Sequence, residues 1–273
     1  MTMTAFFKIF PYLASDYFYI TIISFLYWLG STKNKRLAME LICLVALSTI
    51  LCVLLKEYFS IARPAVQRFI VVYDPYGFPS ADVAVSMVFW GMMVARNQTL
   101  LLKILAPLLV ILIAVSRIYL GVHSVLDITG GFALGVILIL IWNSAAMQRV
   151  VDNWMMQKPI GLYLISAIFV GLCIYIGVNV KIYQVVLPCY GALLAMCMFL
   201  FTTVPQEFTE KINPGLAVFA FAITIVLVRF IPTYHDSIEQ VYMSVIGKYA
   251  AVTIWILLIV PKIHFCFIRK NVV

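Results

Sequence analysis

The sequence predicts an all-α membrane protein, a polytopic bundle of transmembrane helices. Hydrophobic residues make up 64% of the 273-residue chain and charged residues only 11%, which is far more apolar than a soluble domain. Several apolar runs also reach the roughly 20 residues that a helix needs to cross about 30 Å of hydrocarbon. Because a helix satisfies its own backbone hydrogen bonds in that medium, we expect each run to be helical.

About nine segments are predicted as membrane spans. They are residues 17–31, 37–55, 82–95, 100–116, 124–146, 159–178, 182–203, 215–234 and 244–261, of which the third is short. Residues 1–15 hold several aromatic side chains and no small-residue cleavage pattern, so we expect them at the membrane interface and not in a removable signal peptide. We expect one membrane domain over residues 1–273, with its polar core at 37–147 and additional transmembrane helices at 150–273.

The basic residues predict how the chain is oriented. A net charge of +8 would suggest nucleic acid as the partner of a soluble protein, but here the cations sit in short loops, where they orient membrane helices, so no nucleic-acid partner is expected. The loops that follow the first, third, fifth and ninth spans are predicted to be cytoplasmic. They hold Lys33, Lys35, Arg36, Arg96, Lys103, Arg149, Lys158, Lys262, Arg269 and Lys270. Four other cations lie near the opposite face and need another reason, such as an anionic substrate. These are Lys56, Arg63, Arg68 and Arg117.

Polar residues that can carry chemistry are concentrated in two loops on that opposite face. One loop runs from Lys56 to about Ser80, and the other runs from Arg117 to His123. The six cysteines, in contrast, are scattered through apolar stretches without a CxxC pair or a Cys/His cluster of zinc-ligand spacing. We interpret the cysteines as small buried apolar residues and expect no metal site.

Three cations suit the binding of a phosphoryl group. Lys56 lies where a predicted helix leaves the membrane, Arg63 follows after six intervening residues, and Arg117 ends the fourth span on the same face. An arginine can bind phosphate oxygens through two parallel hydrogen bonds, and a lysine adds a compact charge. The alternative is that these side chains simply extend to lipid headgroups at the ends of helices.

His123 and Asp127 form a possible nucleophile and its orienting group. They are four residues apart at the start of the fifth span, so on a helix they share a face. The carboxylate would accept the imidazole N–H, fix the tautomer and leave the other nitrogen free to attack. The alternative is a structural His–acid pair, but an ionisable pair close to the membrane and beside Arg117 favours a function.

The residues before the third span carry a further group of polar side chains. Asp82 follows Pro79, Ser80 and Ala81, and a turn-rich stretch from Tyr73 to Gly77 leads into them. Ser80 is placed either to cap the helix that follows, which its position favours, or to donate to an anion.

These motifs together resemble the three-part signature of the type 2 phosphatidic acid phosphatase superfamily, which also includes vanadium haloperoxidases and glucose-6-phosphatase. The three parts are Lys56-x6-Arg63-Pro64, then Pro79-Ser80, then Ser116-Arg117-x5-His123-x3-Asp127. The stretch SRIYLGVHSVLDITGGFALGVILILI and the segment YGFPS look most like sphingosine-1-phosphate phosphatases, which also have more spans than the usual six. The resemblance covers about residues 56–140.

The resemblance implies a lipid phosphatase that needs no metal or other cofactor. It would hydrolyse a phosphomonoester in two steps through a covalent phosphohistidine. His123 would be the nucleophile, and Asp127 would orient it and stabilise its charge. The phosphate would be bound by Lys56, Arg63 and Arg117, with donors at Ser80 and Ala81.

Asp82 departs from the family pattern, because the second motif normally ends in a histidine that protonates the leaving alkoxide. Losing such an acid typically costs about 10² to 10⁴ in rate. Three interpretations of Asp82 stay open. It acts as a carboxylic acid with a pKa raised by partial burial, against the effect of the nearby cations; or the histidine has been replaced and the protein is weakly active or inactive; or the substrate is a diphosphate, whose leaving group needs less help.

The sequence therefore predicts an integral membrane lipid phosphatase with its site at the non-cytoplasmic surface. Sphingosine 1-phosphate is the leading substrate, followed by phosphatidic acid, phosphatidylglycerol phosphate and polyprenyl diphosphate. Short loops and termini favour a bacterial inner membrane with a periplasmic site, and an endoplasmic reticulum membrane with a lumenal site is the alternative. The rivals are a non-catalytic binder or transporter of lipid phosphates and a plain structural membrane protein. The oligomeric state is left open.

Overall fold

The computed structural model describes residues 3–64, 75–157, 212, 214–230, 255 and 259–264. Nearly all of these residues are helical, which confirms the all-α prediction, and the one strand-like feature among them is an isolated antiparallel bridge between Ala62 and Tyr76. The helices are α1 Met3–Phe7, α2 Phe10–Leu13, α3 Asp16–Leu29, α4 Thr32–Phe59, α5 Ala81–Arg96, α6 Leu100–Tyr119, α7 Val125–Asn143, α8 Ala145–Gln157 and α9 Pro214–Phe230.

Some of the nine predicted spans match membrane-spanning helices in the described residues. Helices α4, α6 and α7 are long and apolar enough to cross a membrane, and α1 to α3 add a fourth crossing if their segments, bent by 46°, act as one span. Helix α5 coincides with the short third span, and α9 with residues 215–234. The predicted spans 159–178 and 182–203, and most of 244–261, lie outside the described residues. The count of nine therefore stays a prediction.

Helix α8 is not predicted from the sequence, because the polar residues after the fifth predicted span indicate a loop. The chain breaks at Ser144, whose backbone is extended, and α8 begins at the next residue. The Ser144 hydroxyl accepts from the N–H of Met147 at 3.3 Å, and the Gln148 side chain donates to the Trp142 carbonyl at 2.7 Å. These bonds stabilise the junction between the two helices. They allow α8 to begin directly after α7 although its sequence is more polar.

The chain divides into two compact units. The first unit comprises Met1–Ile20 and Leu44–Gln148, and it contains all of the predicted site residues. The second unit comprises Thr21–Cys43 and Arg149–Val273. Within the second unit Arg36 lies 2.9 Å from a Glu40 carboxylate oxygen and 2.7 Å from one of Asp152, which ties the start of α4 to α8.

Close packing of α5 against α7 sets the geometry of the first unit. A Cβ atom on Gly131 would lie 2.7 Å from the Ser80 carbonyl, and one on Gly135 would lie 2.6 Å from Cβ of Met87. Small residues four apart allow two helix backbones to approach this closely. The two helices run side by side in the same direction, so the start of α5 lies next to the start of α7.

The N-terminal helices pack on α6. The Phe7 ring stacks on Tyr119 with ring centroids 4.4 Å apart, and Phe10 and Ala14 form a buried apolar cluster with Ile113. Residues 3–7 and 10–13 are thus helical, and the expected position of residues 1–15 at the membrane interface stays a prediction.

Candidate active site

The two described ends of the first predicted loop pair with each other just before α5. Helix α4 ends at Phe59, and Ser60 follows in the left-handed region with φ of 49°. Residues 61–63 then pair with residues 75–77, and we call these two stretches the paired segments. The Arg63 N–H donates to the Pro75 carbonyl at 3.0 Å, and the Gly77 N–H donates to the Ile61 carbonyl at 2.8 Å.

Arg63 contacts the imidazole of His123 directly. Its Nη1 lies 3.1 Å from Nε2 of His123 and also donates to the Val122 carbonyl at 2.8 Å. Because a guanidinium can only donate, Nε2 must accept, and the imidazole proton is assigned to Nδ1. The nitrogen beside Arg63 therefore carries the free electron pair.

Asp127 lies on the other side of the same imidazole. Its Oδ2 is 3.4 Å from Nδ1 of His123, which is an ion-pair distance and longer than a good hydrogen bond. The side chains of His123 and Asp127 are 3% and 0% exposed. The carboxylate also accepts from the Ser124 N–H at 2.7 Å, which fixes its position.

The expectation that one helix face holds both residues is wrong. Helix α7 begins at Val125, and its N-cap is Ser124, whose backbone is extended, so His123 lies in the turn before the helix. The Ser124 hydroxyl accepts from the Asp127 N–H at 3.2 Å, while the Asp127 carboxylate accepts from the Ser124 N–H. This reciprocal capping box, and not the helical repeat, brings Asp127 beside His123.

A tight turn connects α6 to His123. Gly121 takes a φ of 73°, a left-handed conformation that a glycine adopts without strain, and the Val122 N–H donates to the Arg117 carbonyl at 3.2 Å. Arg117 stands in the last turn of α6, so the turn keeps it close to His123.

Arg117 forms an ion pair with Asp82 at the start of α5. Nε of Arg117 lies 3.2 Å from Oδ2 of Asp82. An opposite charge at this distance favours the ionised carboxylate. Asp82 therefore lies beside a cation of the site. This pairing disfavours the interpretation that Asp82 is a protonated carboxylic acid.

Two of the three cations of the site are buried, which argues against their simple extension to headgroups. Lys56 is 4% exposed and Arg117 is 8% exposed. A charged side chain is costly to bury unless it is paired or hydrogen-bonded. Arg63 contacts the imidazole of His123, and the charge of Lys56 also acts on it. Arg68, the fourth cation of this face, lies outside the described residues.

Ser80 does not cap α5, so the favoured interpretation of its side chain is wrong. It occupies the N-cap position and is fully buried, but its hydroxyl makes no capping bond. Its backbone N–H instead donates to the Asp127 carbonyl at 3.0 Å. Ala81 is the first residue of α5, where backbone N–H groups have no acceptor within the helix.

The surroundings of His123 keep the imidazole neutral. Burial lowers the pKa of His123 below its ordinary value of 6.5, and the positive charges of Arg63 and Lys56 lower it further. The carboxylates of Asp127 and Asp82 act in the opposite direction but do not reverse the shift. A neutral imidazole with its free electron pair on Nε2 is the form that a nucleophile requires.

Several buried polar atoms at this site lack a hydrogen-bond partner among the residues that the structure describes. They are Oγ of Ser80, Nε of Arg117, Nδ1 of His123 and Oδ1 of Asp127. Such atoms are rare in folded proteins because each costs free energy, and they often mark functional sites. One of the four, Oγ of Ser80, can donate to an anion, which fits the binding of a phosphate group, whereas Nε of Arg117 already faces the Asp82 carboxylate.

Sequence reasoning missed one close contact at the site. A Cβ atom on Gly77 would lie 2.6 Å from Oδ2 of Asp127. The same stretch places the Phe78 ring against Gly130 of α7. Only the turn-rich composition around Gly77 hinted that this residue is special, and nothing in the sequence linked it to Asp127.

Comparison with known proteins identifies the family of this segment. Residues 37–150 match the PAP2 superfamily, which confirms the predicted superfamily. The chain is 31% identical over 175 residues to lipid phosphate phosphatase delta of Arabidopsis thaliana, covering 57% of this chain and 41% of that protein. It is 30% identical over 161 residues to a dihydrosphingosine 1-phosphate phosphatase of Saccharomyces cerevisiae, covering 53% and 39%.

A shorter match strengthens the same assignment. The chain is 47% identical over 38 residues to phosphatidylglycerophosphatase B of Bacillus subtilis, covering 14% of this chain and 19% of that protein. The chain spans less than half the length of each of these three relatives. No solved structure matches the chain significantly.

Proposed function

We propose that this chain, with its PAP2 superfamily segment at residues 37–150, is an integral membrane lipid phosphate phosphatase that works through a phosphohistidine on His123. The observation that carries the proposal is the 3.1 Å contact between Nη1 of Arg63 and Nε2 of His123. A phosphate bound by that guanidinium would lie beside the nitrogen that carries the free electron pair. Two relatives named as lipid phosphate or dihydrosphingosine 1-phosphate phosphatases support it.

The proposed reaction has two steps. Lys56, Arg63 and Arg117 bind the phosphate oxygens, and the Ser80 hydroxyl and the first N–H groups of α5, including that of Ala81, donate to them. Nε2 of His123 attacks phosphorus, so a P–N bond forms as the P–O bond to the lipid breaks, and the leaving lipid alkoxide takes a proton from water because Asp82 is ionised. Water then attacks phosphorus, breaks the P–N bond and releases inorganic phosphate.

Asp127 stabilises the intermediate of this reaction. When Nε2 becomes bonded to phosphorus, the imidazole keeps its proton on Nδ1 and gains a positive charge. The Asp127 carboxylate, 3.4 Å from Nδ1 and fixed by the Ser124 N–H, faces that charge. No metal ion is needed in this scheme, because the phosphate charge is balanced by side chains.

We infer that the substrate is sphingosine 1-phosphate or a related lipid phosphate, and that the site opens at the non-cytoplasmic surface of the membrane. The yeast relative's name supports the sphingoid head, and the exposed apolar faces of α6 and α7 suit contact with lipid. A bacterial inner membrane with a periplasmic site is the proposed location, with a lumenal site in the endoplasmic reticulum as the alternative.

A polyprenyl diphosphate is the second candidate substrate, and the Asp82–Arg117 ion pair favours it. An ionised Asp82 has no proton to give to an alkoxide, whereas a phosphate leaving group departs without one. We expect Asp82→His to raise kcat/KM for sphingosine 1-phosphate by about 10² to 10⁴ and to change diphosphate hydrolysis little. Wild-type turnover of the diphosphate well above that of the monoester would favour this second candidate.

Phosphate release by the purified protein in detergent tests the main proposal. Wild type, His123→Ala, Asp82→His and the surface control Lys103→Ala are compared on both lipids. We expect His123→Ala to lose turnover and Lys103→Ala to keep it. Equal turnover by wild type and His123→Ala would contradict the proposal. Binding of lipid phosphate without turnover in wild type and Asp82→His would favour a non-catalytic binder or transporter.

A further inference from the structure

Gly77 makes an unusually close approach to the site. Its backbone N–H is bonded to the Ile61 carbonyl, so its position is set by the paired segments. From there it faces the Asp127 carboxylate, and a Cβ atom on it would lie 2.6 Å from Oδ2, 2.9 Å from Cγ and 3.1 Å from Oδ1. Real Cβ atoms essentially never approach another atom within 3.0 Å, so any side chain here must displace something.

The contact, and not the backbone conformation, is what requires a glycine at this position. Among the described glycines the left-handed conformation belongs to Gly121, and Gly77 has an ordinary φ. An alanine at position 77 would therefore fit the backbone without strain. The group that must move is the Asp127 carboxylate, because it is the side chain that the new methyl group would meet.

We propose that Gly77 is a positioning residue: its missing side chain lets the paired segments close over the Asp127 carboxylate and hold it against Nδ1 of His123. This inference rests on the proposed role of His123 as nucleophile. It joins two parts of the site that are far apart in the chain, since the same paired segments carry Arg63 to Nε2. The paired segments thereby position both groups that face the imidazole, Asp127 at Nδ1 and Arg63 at Nε2.

The carboxylate has little room to move without losing its contact with His123. Asp127 is fully buried, its Oδ2 accepts from the Ser124 N–H at 2.7 Å, and its backbone is the third residue of α7. A methyl group on residue 77 would push the carboxylate away from the paired segments. A displacement near 1 Å at a catalytic group costs about 10² in rate, so we expect Gly77→Ala to lower kcat by roughly that factor and to change KM little.

The protonation of the two ring nitrogens of His123 can be measured by NMR without an activity assay. The chain has three histidines, so ¹⁵N-histidine labelling of the full-length protein in detergent micelles gives three sets of ring signals, and His123→Gln assigns one of them. The wild type is expected to show the proton of His123 on Nδ1. Because Arg63 still faces Nε2, the proton should stay on Nδ1 in Asp127→Asn and in Gly77→Ala. Both variants are expected to shift the Nδ1 signal, since the carboxylate that faces this nitrogen is replaced or displaced.

The same spectra give the titration of His123. The charged groups that act on its imidazole are Lys56 of α4, Arg63 of the paired segments, Asp82 of α5 and Asp127 of α7. Asp127 raises the pKa of His123, so its displacement in Gly77→Ala should lower the titration midpoint, as Asp127→Asn does. Gly91→Ala is the matched control, because its methyl group meets Ile139 within the α5–α7 contact and away from Asp127.

The outcomes separate this inference from the proposed function. A Gly77→Ala protein with the wild-type Nδ1 signal and titration midpoint of His123 overturns the role of Gly77, and so does an Asp127→Asn protein in which His123 is unchanged. If Gly77→Ala does not fold, Gly77→Ala in the Asp127→Ala background decides, since the smaller residue leaves space. It should fold and behave as Asp127→Ala alone does, and a further defect overturns the inference. Loss of the proposed function would instead appear as wild-type turnover that survives His123→Ala.

Discussion

The two ends of the helices in the first unit both carry cations, but the two sets stand in different surroundings. At one end Lys56 and Arg117 are 4% and 8% exposed. At the other end Lys103 is exposed and its Nζ reaches the Gln98 side chain at 3.4 Å on the surface. Both sets fit the same sequence pattern of basic residues at helix ends. In this unit burial distinguishes Lys56 and Arg117 from Lys103, and we propose that the buried cations hold an anion while Lys103 extends toward the headgroups.

Buried cations also explain why the polar residues of the site are arranged so closely. Arg117 is paired with Asp82 at 3.2 Å, and Arg63 reaches Nε2 of His123 at 3.1 Å. Removing one member of such a group leaves the others buried without compensation, which costs more than the loss of a surface pair. Changes at the site end should therefore affect both binding and stability, and changes at the opposite end should affect neither.

Neutralising one cation at each end gives the largest expected difference. Arg117→Gln should lower kcat/KM for the preferred lipid phosphate by about 10² to 10³, because it removes a donor that stabilises the charge of the transition state. Lys103→Gln should stay within about twofold of wild type. Steady-state phosphate release at fixed detergent concentration measures both. A similar loss in the two variants would show that the ends do not differ in function.

A change of pH should act on the site end through His123. Its lowered pKa means that the imidazole is neutral from below pH 6.5 upward, so kcat/KM should rise with pH through a midpoint below 6.5 and then level off. Arg63→Gln removes a positive charge that lowers this pKa, so its midpoint should move to higher pH even though its rate is reduced. Lys103→Gln should keep the wild-type midpoint. An unchanged midpoint in Arg63→Gln would contradict the contact with His123.

The smallest expected effect is the difference in protein stability between losing the N-cap of α7 and losing the N-cap of α6. Ser124 caps α7 through a bond from the Asp127 N–H, whereas Thr99, at the N-cap of α6, makes no such bond. Ser124→Ala should lower the free energy of unfolding by about 1 kcal/mol, and Thr99→Ala should change it less. Thermal unfolding in detergent measures the pair. Equal effects would mean that the capping box does not hold the start of α7.

The sequence predicted much of this arrangement, because hydrophobic periodicity and motif order do not depend on tertiary detail. Apolar runs predicted the cores of α4, α5, α6 and α7 within a few residues at most ends. The order of the motifs also predicted that the first and second loops meet. It is the parallel packing of α5 and α7 at Gly131 and Gly135 that brings them together.

Other features depend on tertiary contacts that the sequence alone does not reveal. Helix α8 was missed because helices outside the apolar core need no hydrophobic run. The position of Ser80 favours a capping role, but its hydroxyl makes no capping bond and its backbone N–H donates to the Asp127 carbonyl. The sequence around Gly77 did not distinguish its role. A glycine that is required because a side chain would clash has the same sequence pattern as a glycine in a turn.

Detection of a phosphorylated His123 is the most direct test of the proposed chemistry. Radiolabelled lipid phosphate is mixed with the full-length protein, the reaction is stopped under alkaline conditions that preserve phosphohistidine, and the labelled peptide is identified by mass spectrometry. We expect label on Nε2 of His123 in wild type and none in His123→Ala. Label on a different residue, or undiminished phosphate release by His123→Ala, would contradict the assignment of His123 as the nucleophile.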